Sequence, residues 1–314
     1  MELVTVEDVK AAAGVLAGVA VRTPVVEAEW AGPGGFGLKL ESRQPIGAFK
    51  IRGAYHAIAR LPEAQRNRGV VTHSSGNHGQ AVAYAARALG IPAVIVMPDD
   101  SVPLKLRRVR ELGAELVEVP VADRLAVAEQ LAASRGLTMI PPYDHPDVIA
   151  GQGTVGLEIG EDVSDVEVVL APVGGGGLIS GSAVALKGLL PGVRMIGVEP
   201  ELAGDARDSF RAGELHPWTD EQRVRTIADG LRTAVSELTL AHIMAYVDDI
   251  VTVSEDEIRA TVAELHRHGV TAEPSGAVAT AAYLHHRAEL PQGKAVAVVS
   301  GGNIDPDLLR ELTS

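Results

Sequence analysis

The chain contains no cysteine in 314 residues, which removes disulfides, thiolate nucleophiles and zinc–sulfur centres from consideration. That absence is compatible with a reduced, cytoplasmic location. Aromatic residues are scarce at 3%, although hydrophobic content reaches 46%. The apolar mass comes from alanine, valine and leucine, with 34 glycines beside them, a composition suited to helices packed closely on parallel strands and hence to an α/β fold. Positive charge is in deficit. The 28 Lys and Arg against 41 Asp and Glu leave a net −13, which argues against nucleic acid or an anionic membrane as partner. No run approaches the ~18 apolar residues of a membrane helix. The N-terminal stretch MELVTVEDVKAAAGVLAGVAVRTP lacks a basic n-region and reads as an amphipathic helix, not a signal peptide. There is no repeat of fixed period and no low-complexity tract.

Single cores stop growing near ~250 to 300 residues, so this length predicts two lobes. From residue 69 to 140 short apolar runs alternate with helical patterns: VVTH, a helix over about 77–89, IPAVIVMP, a helix to 112, AELVEV, a helix from 122, and LTMI. Gly90, Gly113 and Gly136 follow these helices, as expected where the chain turns left-handed. Four parallel strands and three crossover helices make one lobe. A second series follows: a helix near 152–159, strand VEVVLAPV, a helix after GGGG, strand RMIGVE, strand DIVTVS, helices over about 255–268 and 275–290, and strand KAVAVVS. The segment before Gly69 has no lobe of its own and is expected to pack on the later half. The expected division is therefore 1–66 with 146–314 as a large domain and 67–145 as a small inserted one. Residues 205–225 are the least legible.

Ligands of α/β sheets bind at the carboxyl ends of strands, which directs attention to the strand-to-helix junctions. THSSGNHGQ, at residues 72–80, opens a helix with Ser74, Ser75 and Asn77 together, where a simple N-cap needs one such residue. It reads as an elaborate cap or as a carboxylate-binding loop. PVGGGGLISG, at 172–181, spends four glycines at about 0.5–1 kcal/mol of backbone entropy each. Bare amides at a helix N-terminus can wrap a phosphate, and the pattern is neither GxGxxG nor GxxxxGK[ST]. An isolated phosphate is the reading, with a flexible linker as the alternative. VVSGGNID, at 298–305, ends a buried strand in Ser300 and two glycines, and taken alone it is a turn. In GAFKIRGA, at 47–54, Lys50 lies between Phe49 and Ile51. Apolar flanks help keep a buried amine neutral and nucleophilic, though a helix lysine with its head in solvent fits the same residues. A nucleophilic lysine, a phosphate cradle and a carboxylate loop together point to pyridoxal 5′-phosphate.

From about Thr23 to Asp305 the ordered set GAFKIRGA, THSSGNHGQ, AGQGT, PVGGGG, GVEP, IADG, AEPSGA and SGGN resembles the fold-type II pyridoxal-phosphate enzymes of the serine/threonine dehydratase and serine racemase family. The resemblance implies a tryptophan synthase β-like fold of two lobes with parallel open sheets flanked by helices. It implies Lys50 as the Schiff-base lysine and Gly174, Gly175, Gly176 and Gly177 as the phosphate cradle. Asn77 is then expected to bond the ring 3′-oxygen, Phe49 to pack beside the ring, Ser300 to face the pyridine nitrogen, and Gly230 to line the cofactor. Ser75 takes the place of the opposite-face acid/base, and Ser74, Ser75, Asn77 and His78 line the substrate carboxylate site. Arg124 and Thr233 fall near positions able to reach a substrate carboxylate, and Arg124 also fits a first-turn helix residue in solvent. GVEPELAGDA resembles the family's cation segment, with Glu199, the Ala203 carbonyl and Asp205 as ligands of Mg²⁺ or Ca²⁺; strand-end and cap carboxylates are the alternative.

The implied activity is a dehydratase, or ammonia-lyase, converting L-serine, L-threonine or a close β-hydroxy amino acid to a 2-oxo acid and ammonia. Serine racemase is an alternative if Ser75 returns a proton to the opposite face, and threo-3-hydroxyaspartate dehydratase is another, since an Arg could pair with its second carboxylate. A homodimer is expected from the resemblance.

Overall fold

The computed structural model describes residues 2–74, 76–99, 101 and 103–314. Thr5 starts helix α1 (Val6–Leu16) through a capping box with Asp8. Strands β1 (Val25–Glu27) and β2 (Phe36–Leu40) lead to α2 (Ile51–Arg60) and α3 (Glu63–Arg68). The alternating series then gives β3 (Val70–His73), α4 (Asn77–Leu89), β4 (Ala93–Pro98), α5 (Pro103–Glu111), β5 (Glu115–Val119), α6 (Arg124–Arg135) and β6 (Thr138–Met139). Gly90, Gly113 and Gly136 close the three crossover helices at φ +67°, +85° and +65°.

The later half contributes α7 (Pro146–Asp162), β7 (Val168–Pro172), α8 (Gly177–Leu189), β8 (Arg194–Pro200), α9 (Asp205–Ala212) and α10 (Asp220–Arg223). It ends in α11 (Glu237–Tyr246), β9 (Asp249–Val253), α12 (Glu255–Arg267), α13 (Pro274–His286), β10 (Ala295–Val299) and α14 (Pro306–Thr313). Helix α7 begins earlier than residue 152 because Pro146 sits at its first turn and His145 Nδ1 accepts the Asp147 N–H at 3.1 Å.

Two sheets result. The larger has the order β1-β2-β10-β7-β8-β9 and is parallel except for β1, which runs antiparallel to β2 along one edge. The smaller, β5-β4-β3-β6, is parallel throughout and takes its strands only from residues 70–139. The fold is α/β with helices on both sheets. Apolar clusters fill both faces of the large sheet, and in one of them Phe36 stacks on Tyr283 with ring centroids 3.6 Å apart. Although it precedes residue 67, α2 puts Ile51, Ala54 and Ile58 into the cluster beneath the small sheet, with Ala81, Ala85 and Ile95. Its other side meets α7 at glycine: a Cβ on Gly151 would lie 2.7 Å from the Arg52 carbonyl oxygen. That close approach is one reason these helices are built from glycine and alanine.

Candidate active site

Neighbouring parallel strands β2, β10, β7 and β8 end on the same edge of the large sheet, and each is followed by one of the marked segments. After β2 the chain reaches Lys50; after β10, Ser300; after β7, Gly174 to Gly177; and at the end of β8 and just beyond it, Glu199 to Asp205. Backbone bonds tie the first two together. The Phe49 N–H donates to the Ser300 carbonyl at 3.1 Å, and Gly302 N–H donates to the Gly47 carbonyl at 2.9 Å.

Lys50 opens α2. Its amine is partly buried, donates to the Pro142 carbonyl at 3.0 Å and lies 5.1 Å from the centroid of the Phe49 ring. Desolvation lowers its pKa from 10.5 to about 8. The turn that carries it is anchored in two ways. Gln152 Oε1 on α7 accepts the otherwise free Gly53 N–H at 3.1 Å. Arg52 is buried between two carboxylates, reaching Glu41 at 2.7 and 2.8 Å and Glu158 at 2.7 and 2.8 Å, while Lys39 donates to Glu158 at 2.6 Å. Burial alone raises the Glu41 pKa, but the charges of Arg52 and Lys39 outweigh it and hold the carboxyl below its ordinary value.

The glycine loop is buried and leaves no room for side chains. A Cβ on Gly175 would lie 2.2 Å from the Tyr143 ring, one on Gly176 2.9 Å from Thr239, and one on Gly174 3.0 Å from Leu231 Cα. Gly176 also takes φ +87°. The first-turn amides of α8 lack intrahelical partners, and free amides at a helix start are donors of the kind that hold a phosphate. Residues 229–233 cover it, with the Gly230 N–H donating to Ser275 Oγ at 2.9 Å. Thr233 Oγ1 approaches the same glycines, 3.2 Å from a Cβ built on Gly174. Ser300 is buried, and its hydroxyl reaches the Ser275 carbonyl only at 3.5 Å.

The small sheet contributes the end of β3 and the start of α4. Ser74 Oγ accepts the Gly76 N–H at 3.2 Å, and Ser75 lies outside the described residues. Asn77 is engaged on both sides of its amide: Nδ2 donates to Glu273 Oε1 at 2.6 Å, and Oδ1 accepts from Asn303 Nδ2 at 2.7 Å. Arg108 in turn donates to Asn303 Oδ1 at 2.6 Å. Burial, and then the charge of Asp229, pushes the Glu273 carboxyl up to about 7. His78 donates from Nε2 to the Ile140 carbonyl at 2.9 Å, while its buried Nδ1 has no partner among the described residues. Burial, and then the charge of Lys50, pushes His78 down to about 3, so the imidazole is neutral. Arg124, half-buried at the start of α6, adds its charge to the burial that lowers the His73 pKa, which places it by the end of β3.

The cation segment is mixed. Glu199, the penultimate residue of β8, caps α9, accepting from the N–H groups of Ala206 at 3.0 Å and Arg207 at 2.7 Å. Asp205 opens α9, and Ala203 closes a short 3-10 turn before it. Burial, and then the charge of Asp205, raises the Glu199 pKa well above its ordinary value. Among the described residues no group of three or more His, Cys, Asp or Glu side chains is placed to hold a metal. The donor set here is two carboxylates and a carbonyl.

Tyr143, Glu273, Asn303 and Gln152 were absent from the residues singled out in the sequence. Gln152, Glu273 and Asn303 lie inside AGQGT, AEPSGA and SGGN, which is the signal that marks them; Tyr143 lies in none of these motifs.

A family model described as pyridoxal-phosphate dependent enzyme matches residues 17–301. The chain belongs to that family. It is 44% identical over 273 residues to an L-threo-3-hydroxyaspartate ammonia-lyase of Saccharomyces cerevisiae, covering 85% of this chain and 82% of that protein. It is 43% identical over 315 residues to an L-threonine ammonia-lyase of Thermotoga maritima, covering 98% and 77%. The structure of maize serine racemase superposes with a TM-score of 0.93 at 35% identity, covering 99% of this chain and 97% of that one.

The residues of this pyridoxal-phosphate enzyme fit the cofactor. An amine of lowered pKa suits a carbonyl partner, and a run of bare glycines at the N-terminus of α8, packed too closely to admit a Cβ, suits a phosphate held by backbone amides. Near them, the buried Ser300 presents a neutral hydroxyl.

Proposed function

We propose that the enzyme is an ammonia-lyase that converts L-threonine, L-serine or a close β-hydroxy amino acid to a 2-oxo acid and ammonia. The observation that carries this reading is the Lys50 amine, lowered to about 8, on a sheet edge shared with the bare Gly174–Gly177 loop and the neutral Ser300 hydroxyl. Bound pyridoxal phosphate would supply the electron sink that stabilises negative charge at the substrate Cα. Gly174, Gly175, Gly176 and Gly177 would hold its phosphate, Phe49 and Gly230 would flank it, and Asn77 and Ser300 would address its ring oxygen and nitrogen.

Lys50, once free, is the base that takes the Cα proton, and its lowered pKa leaves a useful fraction neutral near pH 7. Ser74, Asn77 and the neutral His78 line the side on which the substrate carboxylate sits. Ser300 brings no negative charge, so the charge developed at Cα is discharged by forming the Cα–Cβ double bond as the Cβ–O bond breaks; the departing hydroxide takes up the proton that Lys50 removed and leaves as water, and hydrolysis of the product by a second water gives the 2-oxo acid and ammonia. Ser75 is proposed as the acid/base of the opposite face, which matters for D-substrates. Arg124 stands near the end of β3 and offers a charge to a second carboxylate, which makes 3-hydroxyaspartate a natural member of the substrate panel. Glu199, the Ala203 carbonyl and Asp205 are proposed to hold Mg²⁺ or Ca²⁺.

The test is the purified enzyme with pyridoxal phosphate and Mg²⁺, incubated with L-serine, L-threonine, D-serine and L-threo-3-hydroxyaspartate while oxo acid and enantiomer are followed together. Rapid oxo acid from an L-substrate is expected. Enantiomer forming faster than oxo acid would replace the lyase reading with a racemase.

A further inference from the structure

Asp205 is 1% exposed, and its Oδ2 is buried without a hydrogen-bond partner among the described residues. The neighbouring Glu199 is just as buried, but each of its oxygens accepts one amide of α9, which leaves it a second lone pair for a cation. The positive charge facing Asp205 comes from within the chain: Arg223 Nη1 stands 3.6 Å from Asp205 Oδ2. This is ion-pair distance without hydrogen-bond contact, because other partners hold the guanidinium. Arg223 donates to the Trp218 carbonyl, to Asp220 Oδ1 and, from Nε, to the Arg232 carbonyl at 3.3 Å.

We propose that Arg223 is a resident counter-cation that competes with a divalent metal ion for Asp205. The inference rests on the assignment of Glu199, Ala203 and Asp205 as cation ligands. Two buried carboxylates and a carbonyl are hard oxygen donors suited to Mg²⁺ or Ca²⁺. A metal ion at Asp205 and a guanidinium a few ångströms away repel each other, so the ion binds fully only as Arg223 withdraws. Asp220, whose side chain is 76% exposed, gives the guanidinium an outward partner. Withdrawal has a consequence at the active site, since Arg223 is bonded to Arg232, Arg232 bonds back to the Thr226 carbonyl, and this segment contains the residues that cover the glycine loop. Metal occupancy and the grip of residues 226–233 on that loop are thereby linked.

The test is calorimetric titration of Mg²⁺ into the pyridoxal-phosphate-loaded enzyme as wild type, Arg223→Gln and Asp205→Asn, with melting midpoints recorded with and without Mg²⁺. Loss of the competing charge is expected to tighten Mg²⁺ binding by about tenfold or more. Arg223→Gln should melt below wild type without Mg²⁺ and recover with it, and Asp205→Asn should lose the binding heat. Arg223→Met, which keeps the packing of the stem, serves the same purpose if the glutamine variant does not fold. A silent wild type with a binding Arg223 variant also supports the proposal. Mg²⁺ affinity in the Arg223 variants equal to or weaker than wild type would overturn the competition alone. Absence of Mg²⁺ heat in every protein would overturn the competition and the ligand assignment together.

Discussion

Lys50 makes a quantitative prediction about cofactor capture. An amine with the ordinary pKa of 10.5 is only about 0.03% neutral at pH 7, whereas one lowered to about 8 is about 10% neutral, a gain of roughly 300-fold in nucleophile. The underlying cost, about 3 kcal/mol against the charged form, comes from desolvation between α2 and the Pro142 carbonyl. Enzyme stripped of cofactor should be mixed with pyridoxal phosphate across pH 6 to 10 and followed at the ~410–420 nm band of the lysine-bound cofactor. The rate constant is expected to rise about tenfold per pH unit below 8 and to flatten above it. A rate still climbing tenfold per unit at pH 10 would show an ordinary amine and refute the reasoning. Lys50→Ala should show no band, and a band of wild-type intensity would remove the assignment. The same lowered pKa fixes the sign for the stripped enzyme. Between pH 8 and 10.5 the unfolded chain binds more protons at Lys50 than the folded one, so wild type should gain stability relative to Lys50→Met as pH rises through that window.

Other expectations follow from single contacts. Gly175→Ala places a methyl 2.2 Å from the Tyr143 ring and should cost roughly 1–3 kcal/mol, with weakened cofactor binding; Tyr143→Ala added to it should recover most of the loss, and additive effects in the double mutant would sink the contact argument. Arg52→Met leaves Glu41 charged and buried, so a loss of about 3–5 kcal/mol is expected in chemical denaturation, partly restored by adding Glu41→Gln. Glu273 has a raised pKa of about 7, so its contribution to stability is full below about pH 4.5 and is lost as pH rises toward 7. Glu273→Gln should flatten that part of the stability–pH curve, and an unchanged slope would mean that Glu273 is not the group responsible.

Much of the fold was legible because it is written locally. Apolar runs of strand length, helical periods between them, and glycines at 90, 113 and 136 announce the small sheet and its crossovers, and the structure has them. The edge strand β1 was not legible, since three residues with an exposed, mixed pattern carry no period. The packing of α2 into the core of the small sheet also escaped, because a helix's apolar face does not name its partner. The same division holds at the site. By itself the sequence determined an α/β chain, an amine among apolar neighbours at Lys50, a bare glycine loop and a hydroxyl-rich helix start, all properties of short segments. Only the tertiary structure decided that β2, β10, β7 and β8 lie side by side, bringing Lys50, Ser300, the glycine loop and Glu199 to one edge. It alone set Tyr143 over Gly175, Glu273 on Asn77 and Arg223 beside Asp205. Periodicity and propensity act over a few residues, whereas strand order and the burial of a charge depend on which distant segments exclude water from one another.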